Sequence, residues 1–518
     1  MRVLLFGVDG LTFRVIDPLI ERGLLPNFRR VRDEGARGIL KSVTPPMTPP
    51  AWMSIATGLP AAQHGVYDFW EYTWSATREQ GPTAKIMTHR KGGKAIWNIL
   101  SEWGKQVIVA NVPLTYPPEP VNGILLSGYM APDMRATITY PPDFKEELLQ
   151  AVPDYQIDLD PAISGGQIGD PLTATLKMTE ARLTMFRLLL SKPWDFCFLA
   201  CSGADRIQHL RWDEIMALHP QAVAYYQMLD EALGMMLATL REDDLLMIVS
   251  DHGFRGVRRK FYLQEYLYRR GLLKLRYTGH RRKAELLGFA RNTVRGLRLQ
   301  KVARLLRTGL HRCGMLTVEQ EQHAARLPAL DWAKTRAWIL SASGFLAGYA
   351  DIFFAETFSE EEIQALMQDL RALRDPETGE ALIVEMYRED VYGQGPFAPA
   401  ERHLIVLCNQ QTTLPTELGR GDLWESGDVT TGIHDPDGFL CLYGTQVRRG
   451  VYLADKHLYD IVPTILAYMG ITLSTDLPGQ VMQDAFITLP GGGTMREDRT
   501  NSIVQRKLKR VTSRVSEK

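Results

Sequence analysis

Short runs of consecutive apolar residues recur along the sequence, and each run is bounded by glycine, aspartate or proline. Hydrophobicity that is continuous instead of alternating is typical of strands buried on both faces of a sheet. These runs occupy positions 3–8, 107–110, 124–126, 196–200, 245–249, 404–408 and 439–443. Helical patterns such as the one at 361–374 separate them. The sequence therefore predicts a layered α/β fold with a central, mostly parallel sheet flanked by helices.

The composition is that of a large globular chain without a global charge. Its 518 residues are 45% hydrophobic, which is enough for a sizeable core, and 60 basic residues balance 60 acidic ones. This balance gives no specific indication of nucleic acid as a partner. The five cysteines are scattered and form no CxxC pair, so neither a disulfide framework nor a thiolate zinc site is indicated. A reducing compartment is therefore expected.

The first ten residues have the pattern of a β-strand, because their apolar run is too short for a signal peptide and no small-residue cleavage site follows. No apolar stretch approaches the roughly 20 residues needed to cross a bilayer. We therefore expect a cytoplasmic protein, with peripheral membrane association left open.

One segment, 269–312, departs from the neutral composition. It contains fourteen Lys or Arg against one acidic residue, Glu285, with apolar residues interleaved at helical spacing. This pattern predicts basic amphipathic helices, which either cover the domain with their long side chains or recruit anionic substrate or lipid headgroups. We expect the chain to divide into a first part of a catalytic α/β core, an inserted basic helical cap, a second part of the core and a disordered tail, at 1–260, 261–330, 331–490 and 491–518 respectively.

Carboxylates and imidazoles follow three of the predicted strands, and another imidazole precedes a fourth. Because ligand sites gather at the carboxyl ends of strands in such sheets, we expect these side chains to meet. Oxygen and nitrogen donors without cysteine suit Zn²⁺, Mn²⁺ or Fe²⁺, and six donors are enough for two three-ligand sites. The alternative is that each aspartate only caps the helix that follows it. The six candidate ligands are Asp9, Asp205, His209, Asp251, His252 and His434.

Thr48 lies in a proline-rich segment just before a predicted helix. Backbone N–H groups at a helix start favour an incoming phosphate, and a metal ion near the hydroxyl would lower its pKa and make it a nucleophile. The alternative is that Thr48 merely caps the helix that begins at Ala51.

These motifs together resemble the alkaline phosphatase superfamily, and most closely its type I phosphodiesterase/nucleotide pyrophosphatase branch. They occur in that family's order, and the resemblance as a whole spans residues 1 to about 485. They are Gly-Val-Asp9-Gly, Thr48-Pro-Pro-Ala-Trp-x-Ser-x-x-Thr-Gly58, His64-Gly65, Asp205-x-x-x-His209, Ser-Asp251-His252-Gly and His434. The resemblance implies an alkaline phosphatase-like layered sandwich and a metal-dependent phosphoric ester hydrolase.

The resemblance also implies a role for each candidate residue. Asp205, His209 and His434 would hold one divalent metal ion, and Asp9, Asp251 and His252 would hold the other. Thr48 would contact both metals and attack phosphorus, giving a phosphothreonine intermediate that water hydrolyses. Zn²⁺ is the expected metal, with Mn²⁺ and Fe²⁺ as alternatives.

Two departures from the family pattern bear on the substrate. An asparagine that contacts a phosphate oxygen in nucleotide pyrophosphatases is absent, and the corresponding stretch contains Asp68. No arginine matches the one that grips phosphate in alkaline phosphatases. A monoester carries more charge than a diester, so the lack of an arginine favours phosphodiesters. A phosphomonoesterase, a phosphotransferase or mutase, and a non-catalytic protein that binds an anion or lipid are the alternatives. The sequence leaves the oligomeric state open.

Overall fold

The computed structural model describes residues 1–73, 82–159, 170–276, 330–340, 347–399, 403–418, 421–426, 431–472 and 476–490. The strands of this part of the chain are β1 Val3–Val8, β2 Ala36–Lys41, β3 Trp70–Thr73, β4 Thr83–Ile86, β5 Val107–Ala110, β6 Gly123–Leu126, β7 Thr139–Tyr140, β8 Phe196–Cys201, β9 Leu245–Val249, β10 Gly253–Gly256, β11 Arg259–Phe261, β12 Ala337–Ile339, β13 Tyr349–Phe354, β14 Ile383–Tyr387, β15 His403–Cys408, β16 Thr412–Thr413, β17 Trp424–Ser426, β18 Gly432–Asp435, β19 Asp437–Tyr443 and β20 Val451–His457.

The α-helices of the described residues lie between these strands, except for the last, which follows β20. They are α1 Phe13–Glu21, α2 Pro26–Glu34, α3 Thr48–Thr57, α4 Ala61–His64, α5 Ile96–Glu102, α6 Phe144–Ala151, α7 Pro171–Leu190, α8 Gly203–Met216, α9 Pro220–Thr239, α10 Leu263–Arg269, α11 Glu360–Ala372 and α12 Ile461–Tyr468. None of them is both long enough and apolar enough to cross a membrane.

Nine strands form the central sheet, in the order β20-β2-β19-β9-β1-β8-β5-β6-β7. Strand β1 pairs in parallel with both β8 and β9, and β5 continues the parallel arrangement beyond β8. Strand β19 is antiparallel to both of its neighbours, β2 and β9. The predicted central, mostly parallel sheet is therefore confirmed.

Helices cover both faces of this sheet, which explains why its strands read as continuous apolar runs. Leu4, Phe6 and Val8 of β1 join the core on the face covered by α1, α2 and α6 to α9. Val3 and Leu5 face the other way and pack with α3, α5 and α12. Helix α3, which begins at Thr48, is thus packed against the central sheet.

The run at 404–408 lies outside the central sheet. It forms β15 in a four-stranded antiparallel sheet with the order β12-β13-β15-β14, against which α11 packs. This smaller sheet lies beside the metal-ligand candidates, because Tyr349 and Asp351 of β13 line the same cavity as Thr48 and His434.

Most of the predicted basic cap, from 277 to 329, and the predicted tail at 491–518 lie outside the described residues. The proposed division at 1–260, 261–330 and 331–490 stays a prediction.

Candidate active site and metal centre

The site begins where three adjacent strands of the central sheet end. Asp9 follows β1, and its amide donates to the carbonyl of Cys201 at the end of β8, at 2.8 Å. Asp251 and His252 follow β9. Because β1 pairs with both β8 and β9, the side chains that leave these strands meet at one edge.

Asp9, Asp251 and His252 form one buried group whose potential ligand atoms lie within 4.8 Å of one another. His252 Nε2 lies 3.2 Å from Asp251 Oδ2 and 3.5 Å from Asp9 Oδ1. The Gly10 amide donates to Asp251 Oδ1 at 3.1 Å. Gly10 has a positive φ of 71°, and a Cβ there would meet Phe254 at 2.8 Å, so this turn requires glycine.

A second group contains Asp205, His252 and His434, again within 4.8 Å of one another. His434 Nε2 lies 3.1 Å from Asp205 Oδ1. His209, one turn after Asp205 on α8, places its Nε2 3.4 Å from Asp205 Oδ1 and 3.0 Å from His434 Nε2. Antiparallel pairing of β10 with β18 sets His434 opposite Phe254 and so beside the end of β9. The structure therefore brings all six candidate ligands together.

Backbone carbonyls fix the tautomers of the three imidazoles. Each Nδ1 lies within hydrogen-bond distance of a carbonyl oxygen: His209 at 3.0 Å from Gly432, His252 at 3.1 Å from Gly253, and His434 at 2.9 Å from Pro46. A carbonyl oxygen only accepts, so each Nδ1 carries the proton and each Nε2 turns a lone pair towards the site. The Nε2 atoms of His209 and His434 then face each other at 3.0 Å, which requires a proton or a cation between them.

The buried carboxylates also call for a cation. Burial raises the pKa of Asp9 well above its ordinary value, and the charges of Asp251 and Asp205 raise it further. Burial likewise raises the pKa of Asp251, with a further contribution from Asp205. Asp9 Oδ1 and Asp251 Oδ2 are buried without a hydrogen-bond donor among the described residues. Carboxylates in this state are stabilised by a bound metal ion, so the donor set fits divalent cations.

The pKa values of Asp205 and His252 are shifted downwards instead. Burial alone would raise the pKa of Asp205, but the imidazoles of His209 and His434 outweigh it and hold that pKa well below its ordinary value. Burial, reinforced by His434, keeps the pKa of His252 well below its ordinary value. His252 is therefore a neutral nitrogen donor at neutral pH, which is the form that binds metals.

Thr48 is buried at the first residue of α3, and its Oγ1 lies 3.2 Å from His252 Nε2. Its side chain does not cap the helix, because the cap residue is Met47 and the Ala51 amide donates to the Met47 carbonyl at 3.1 Å. Pro49 and Pro50 follow directly and lack an N–H. The first turn of α3 therefore offers fewer backbone N–H donors near the Thr48 hydroxyl than the sequence predicted.

Two residues that support the site were not anticipated as such. Trp52 donates its indole N–H to Asp9 Oδ2 at 3.3 Å, and it packs so closely on Gly7 that a Cβ there would lie 2.6 Å from the indole ring. His64 Nε2 lies 3.2 Å from the Ser54 hydroxyl, and its Nδ1 accepts from the Val66 amide at 3.2 Å. His64, which belongs to the His64-Gly65 motif, therefore contacts α3 through Ser54 and is not among the metal-ligand candidates.

Solved structures that share this fold include a phosphonoacetate hydrolase and two ectonucleotide pyrophosphatase/phosphodiesterases. Phosphonoacetate hydrolase from Sinorhizobium meliloti 1021, in complex with phosphonoacetate, is 16% identical with a TM-score of 0.56, covering 90% of this chain and 95% of that chain. Human ectonucleotide pyrophosphatase/phosphodiesterase 5 is 13% identical with a TM-score of 0.51, covering 94% and 100%. An inactive threonine-to-alanine variant of the murine enzyme, in complex with AMP, gives the same values. No curated protein of matching sequence is found.

The layered sheet together with a family-model match defines the class, which is the metal-dependent phosphoester hydrolases of the alkaline phosphatase superfamily. Within that class the match to a family model covers residues 3–333, well over half of the chain. The chain belongs to the type I phosphodiesterase/nucleotide pyrophosphatase family.

Proposed function

We propose that the protein hydrolyses phosphodiesters through a covalent phosphothreonine intermediate on Thr48, at a centre that holds two divalent metal ions. The observation that carries this proposal is the position of the Thr48 hydroxyl, 3.2 Å from His252 Nε2 and at the edge of a buried cluster of carboxylates and imidazoles. A hydroxyl placed there serves neither to cap its helix nor to fill the core.

The six ligand candidates divide between two ions. Asp205, His209 and His434 would hold the first ion and Asp9, Asp251 and His252 the second, and Zn²⁺ suits this mixture of imidazole and carboxylate donors. When bound, the two ions would neutralise charge on the phosphoryl oxygens and lower the pKa of the nearby hydroxyl. Mn²⁺ and Fe²⁺ are the alternative metal ions for the same donors.

The remaining work falls to the chain's own residues. Thr48 Oγ1 attacks phosphorus, and the bond from phosphorus to the leaving alcohol breaks in line with it. Hydrolysis by water then frees Thr48 and releases a phosphomonoester. Thr48 loses its hydroxyl proton as it attacks, and the leaving alcohol takes up a proton, so the step balances. His252 stays neutral, so its Nε2 can accept a hydrogen bond from the Thr48 hydroxyl, while Trp52 and the Gly10 amide hold Asp9 and Asp251 in place.

The cavity next to Thr48 favours a diester over a monoester. Among the described residues that line it, the acidic side chains are Asp68, Glu71 and Asp351, and no arginine is present. A monoester, with nearly two negative charges, would meet carboxylates without a guanidinium to offset them. A diester brings one charge and suits this wall better.

Hydrolysis is tested with metal-loaded protein on bis(p-nitrophenyl) phosphate and p-nitrophenyl phosphate. We expect the diester to be cleaved faster, and an added acceptor alcohol to receive no phosphoryl group. Faster cleavage of the monoester would reject the diester assignment, and efficient transfer to the alcohol would favour a phosphotransferase. In the same assay Thr48→Ala should lose activity. The matched control is Thr184→Ala, which replaces an exposed threonine on α7.

Location and membrane contact rest on other features. We propose a cytoplasmic protein, since the four described cysteines are free and buried. We also propose that the basic segment 269–312 contacts anionic substrate or lipid headgroups, a proposal that rests on its sequence. Co-sedimentation with anionic and neutral vesicles tests it, because equal binding to both would remove the idea.

A further inference from the structure

A cavity of about 260 Å³ opens directly beside Thr48. One part of its lining is the segment that follows α4, with Asp68 and Trp70, and another part comes from the small antiparallel sheet, with Asp351 on β13. His434 closes the end nearest the metal centre. Any group attached to the phosphorus that Thr48 attacks has this cavity available to it.

Two carboxylates from different parts of the fold, Asp68 and Asp351, line this cavity. Asp351 Oδ2 accepts a hydrogen bond from the Tyr392 hydroxyl at 3.1 Å, whereas its Oδ1 is buried without a hydrogen-bond donor among the described residues. Asp68 Oδ1 accepts from the Phe69 amide at 2.6 Å. Burial and then the charge of Asp351 raise the pKa of Asp68 to about 7, so the two carboxylates are close enough to repel each other.

The positively charged side chains that line the cavity do not neutralise Asp68 and Asp351. Lys91 is bound to Glu71 at 2.5 Å, and those two charges cancel. His403 Nδ1 lies 3.3 Å from Asp351 Oδ1, but one imidazole carries at most a single positive charge against two carboxylates. Among the described lining residues the cavity therefore carries a net negative charge once Asp68 is ionised, above about pH 7, although it adjoins a centre built for a negatively charged phosphate.

Aromatic rings make up much of the remaining wall. The rings of Tyr67 and Tyr392 meet edge to face with centroids 4.8 Å apart, and the Tyr67 hydroxyl donates to the Phe397 carbonyl at 2.6 Å. Tyr349 is close enough to both carboxylates that, after burial, Asp68 and Asp351 are the causes that raise its pKa. Rings held beside carboxylates attract organic cations, and aromatic cages are the usual binding sites of quaternary ammonium groups.

We propose that this cavity is a cation subsite, formed by Asp68, Asp351, Tyr349 and Tyr392, which binds a quaternary ammonium or amine group carried by the phosphodiester substrate. The substrate is thus zwitterionic, with its phosphate at the metal centre and its cation between the two carboxylates. This inference deepens the proposed function and rests on it. The same cation could belong to a soluble diester or to a lipid headgroup.

The test compares two esters that differ only in charge. p-Nitrophenyl phosphorylcholine carries a trimethylammonium group, and p-nitrophenyl 3,3-dimethylbutyl phosphate replaces its nitrogen with carbon at the same shape. We expect kcat/KM to favour the cationic ester by about tenfold or more, as aromatic and carboxylate contacts to a desolvated cation would produce. Equal rates, or faster cleavage of p-nitrophenyl thymidine 5′-phosphate, would overturn the subsite and leave phosphodiester hydrolysis standing.

Variants connect that preference to the two carboxylates. Asp68→Asn and Asp351→Asn should each reduce the ratio of the two kcat/KM values several-fold, and the double variant should bring it near one. Asp33→Asn, an exposed aspartate on α2, should leave the ratio unchanged. A ratio that stays high in the double variant, with a wild-type melting temperature, would contradict the inference.

A binding measurement separates failure of the subsite from failure of the proposed function. In metal-loaded Thr48→Ala, calorimetry should detect tighter binding of phosphocholine than of 3,3-dimethylbutyl phosphate, whether or not the wild type turns over either ester. Equal affinities would overturn the subsite alone. Rates of cleavage of glycerophosphocholine in solution and of phosphatidylcholine vesicles then show whether the cation belongs to a soluble diester or to a lipid headgroup. Cleavage of either supports a zwitterionic phosphodiester substrate, and the faster of the two identifies its source.

Discussion

The Thr48 hydroxyl oxygen lies 3.2 Å from Nε2 of His252, although 204 residues separate the two in the chain. Thr48 begins α3 on one face of the central sheet, and His252 follows β9 within it. The Nδ1 of His252 is committed to the Gly253 carbonyl, so Nε2 can only face Thr48 and the carboxylates. The nucleophile candidate is therefore placed by the same imidazole that two groups of metal donors share.

Replacing the hydroxyl should abolish turnover without emptying the metal centre. We expect Thr48→Ala to lower kcat for bis(p-nitrophenyl) phosphate by about a thousandfold or more, since loss of a nucleophile removes the covalent route. Thr48→Ser should keep part of the activity, because it keeps a hydroxyl. Elemental analysis should find wild-type metal content in both variants. Substantial activity in Thr48→Ala would reject the covalent mechanism.

Metal removal should destabilise the protein most at alkaline pH. The folded-state pKa values of Asp9 and Asp251 are raised above their ordinary value of 3.8, so without metal the folded state holds protons that the unfolded state releases. Stability of the chelator-treated protein should fall as pH rises from 3.8 through the raised values. Zn²⁺ should therefore raise the melting temperature more at pH 8 than at pH 5. An equal increase at both pH values would contradict this.

His252 should matter more for metal retention than His209. The Nε2 of His252 lies within 4.8 Å of the donor atoms of both groups, whereas His209 Nε2 lies beside the donor atoms of the first ion's candidate ligands, Asp205 and His434. We expect His252→Ala to lose more bound metal than His209→Ala when both are dialysed against the same limiting Zn²⁺. Equal losses would show that the two ions are held independently of His252.

Gly7 should tolerate no side chain while Trp52 is present. A Cβ at Gly7 would lie 2.6 Å from the indole ring that donates to Asp9, so Gly7→Ala must displace it. We expect a loss of about 1–3 kcal/mol in unfolding free energy, together with weaker metal binding. Trp52→Phe shortens the ring and makes room, so the double variant should lose less than the sum of the single losses in denaturant titrations. Additive losses would contradict the clash.

The preference for a cationic ester should weaken as pH falls. The pKa of Asp68 is raised to about 7 by burial and by Asp351, so protonation below pH 7 removes one of the charges that attract the cation. The ratio of kcat/KM for the cationic and neutral esters should be higher at pH 8 than at pH 6. Titration of the metal centre affects both esters and cancels in this ratio. Asp68→Asn should flatten the profile, and a profile that stays unchanged in this variant would assign the titration to another group.

Much of the sheet could be predicted from the sequence because burial on both faces leaves a continuous apolar run. The same rule fails to say which sheet a run joins. Strand β15 reads like a core strand, since Leu404 and Val406 pack into one cluster while Ile405 packs against Ala61 and Tyr392 on the other face. The run at 404–408 therefore did not indicate that its strand belongs to the four-stranded sheet that lines the cavity beside Thr48.

The ligand candidates were accessible to sequence reasoning because each follows or precedes a strand, and neighbouring strands share an edge. The cation subsite was not accessible in this way. Asp351 lies on β13 and Asp68 in a segment after α4, and only the packing of the small sheet over the core brings them to one cavity. Asp351 stands in no pattern that distinguishes it from a surface aspartate, and Asp68 was singled out only for lying in the stretch where nucleotide pyrophosphatases have an asparagine.

The most direct test of the central claim is the stereochemical course of hydrolysis at phosphorus. A chiral phosphorothioate diester is hydrolysed by the metal-loaded protein in isotopically labelled water, and the configuration of the product is determined. Attack by Thr48 followed by attack of water is two in-line displacements, so the account predicts net retention of configuration. Net inversion would mean that water attacks the substrate directly, and would contradict a covalent step on Thr48.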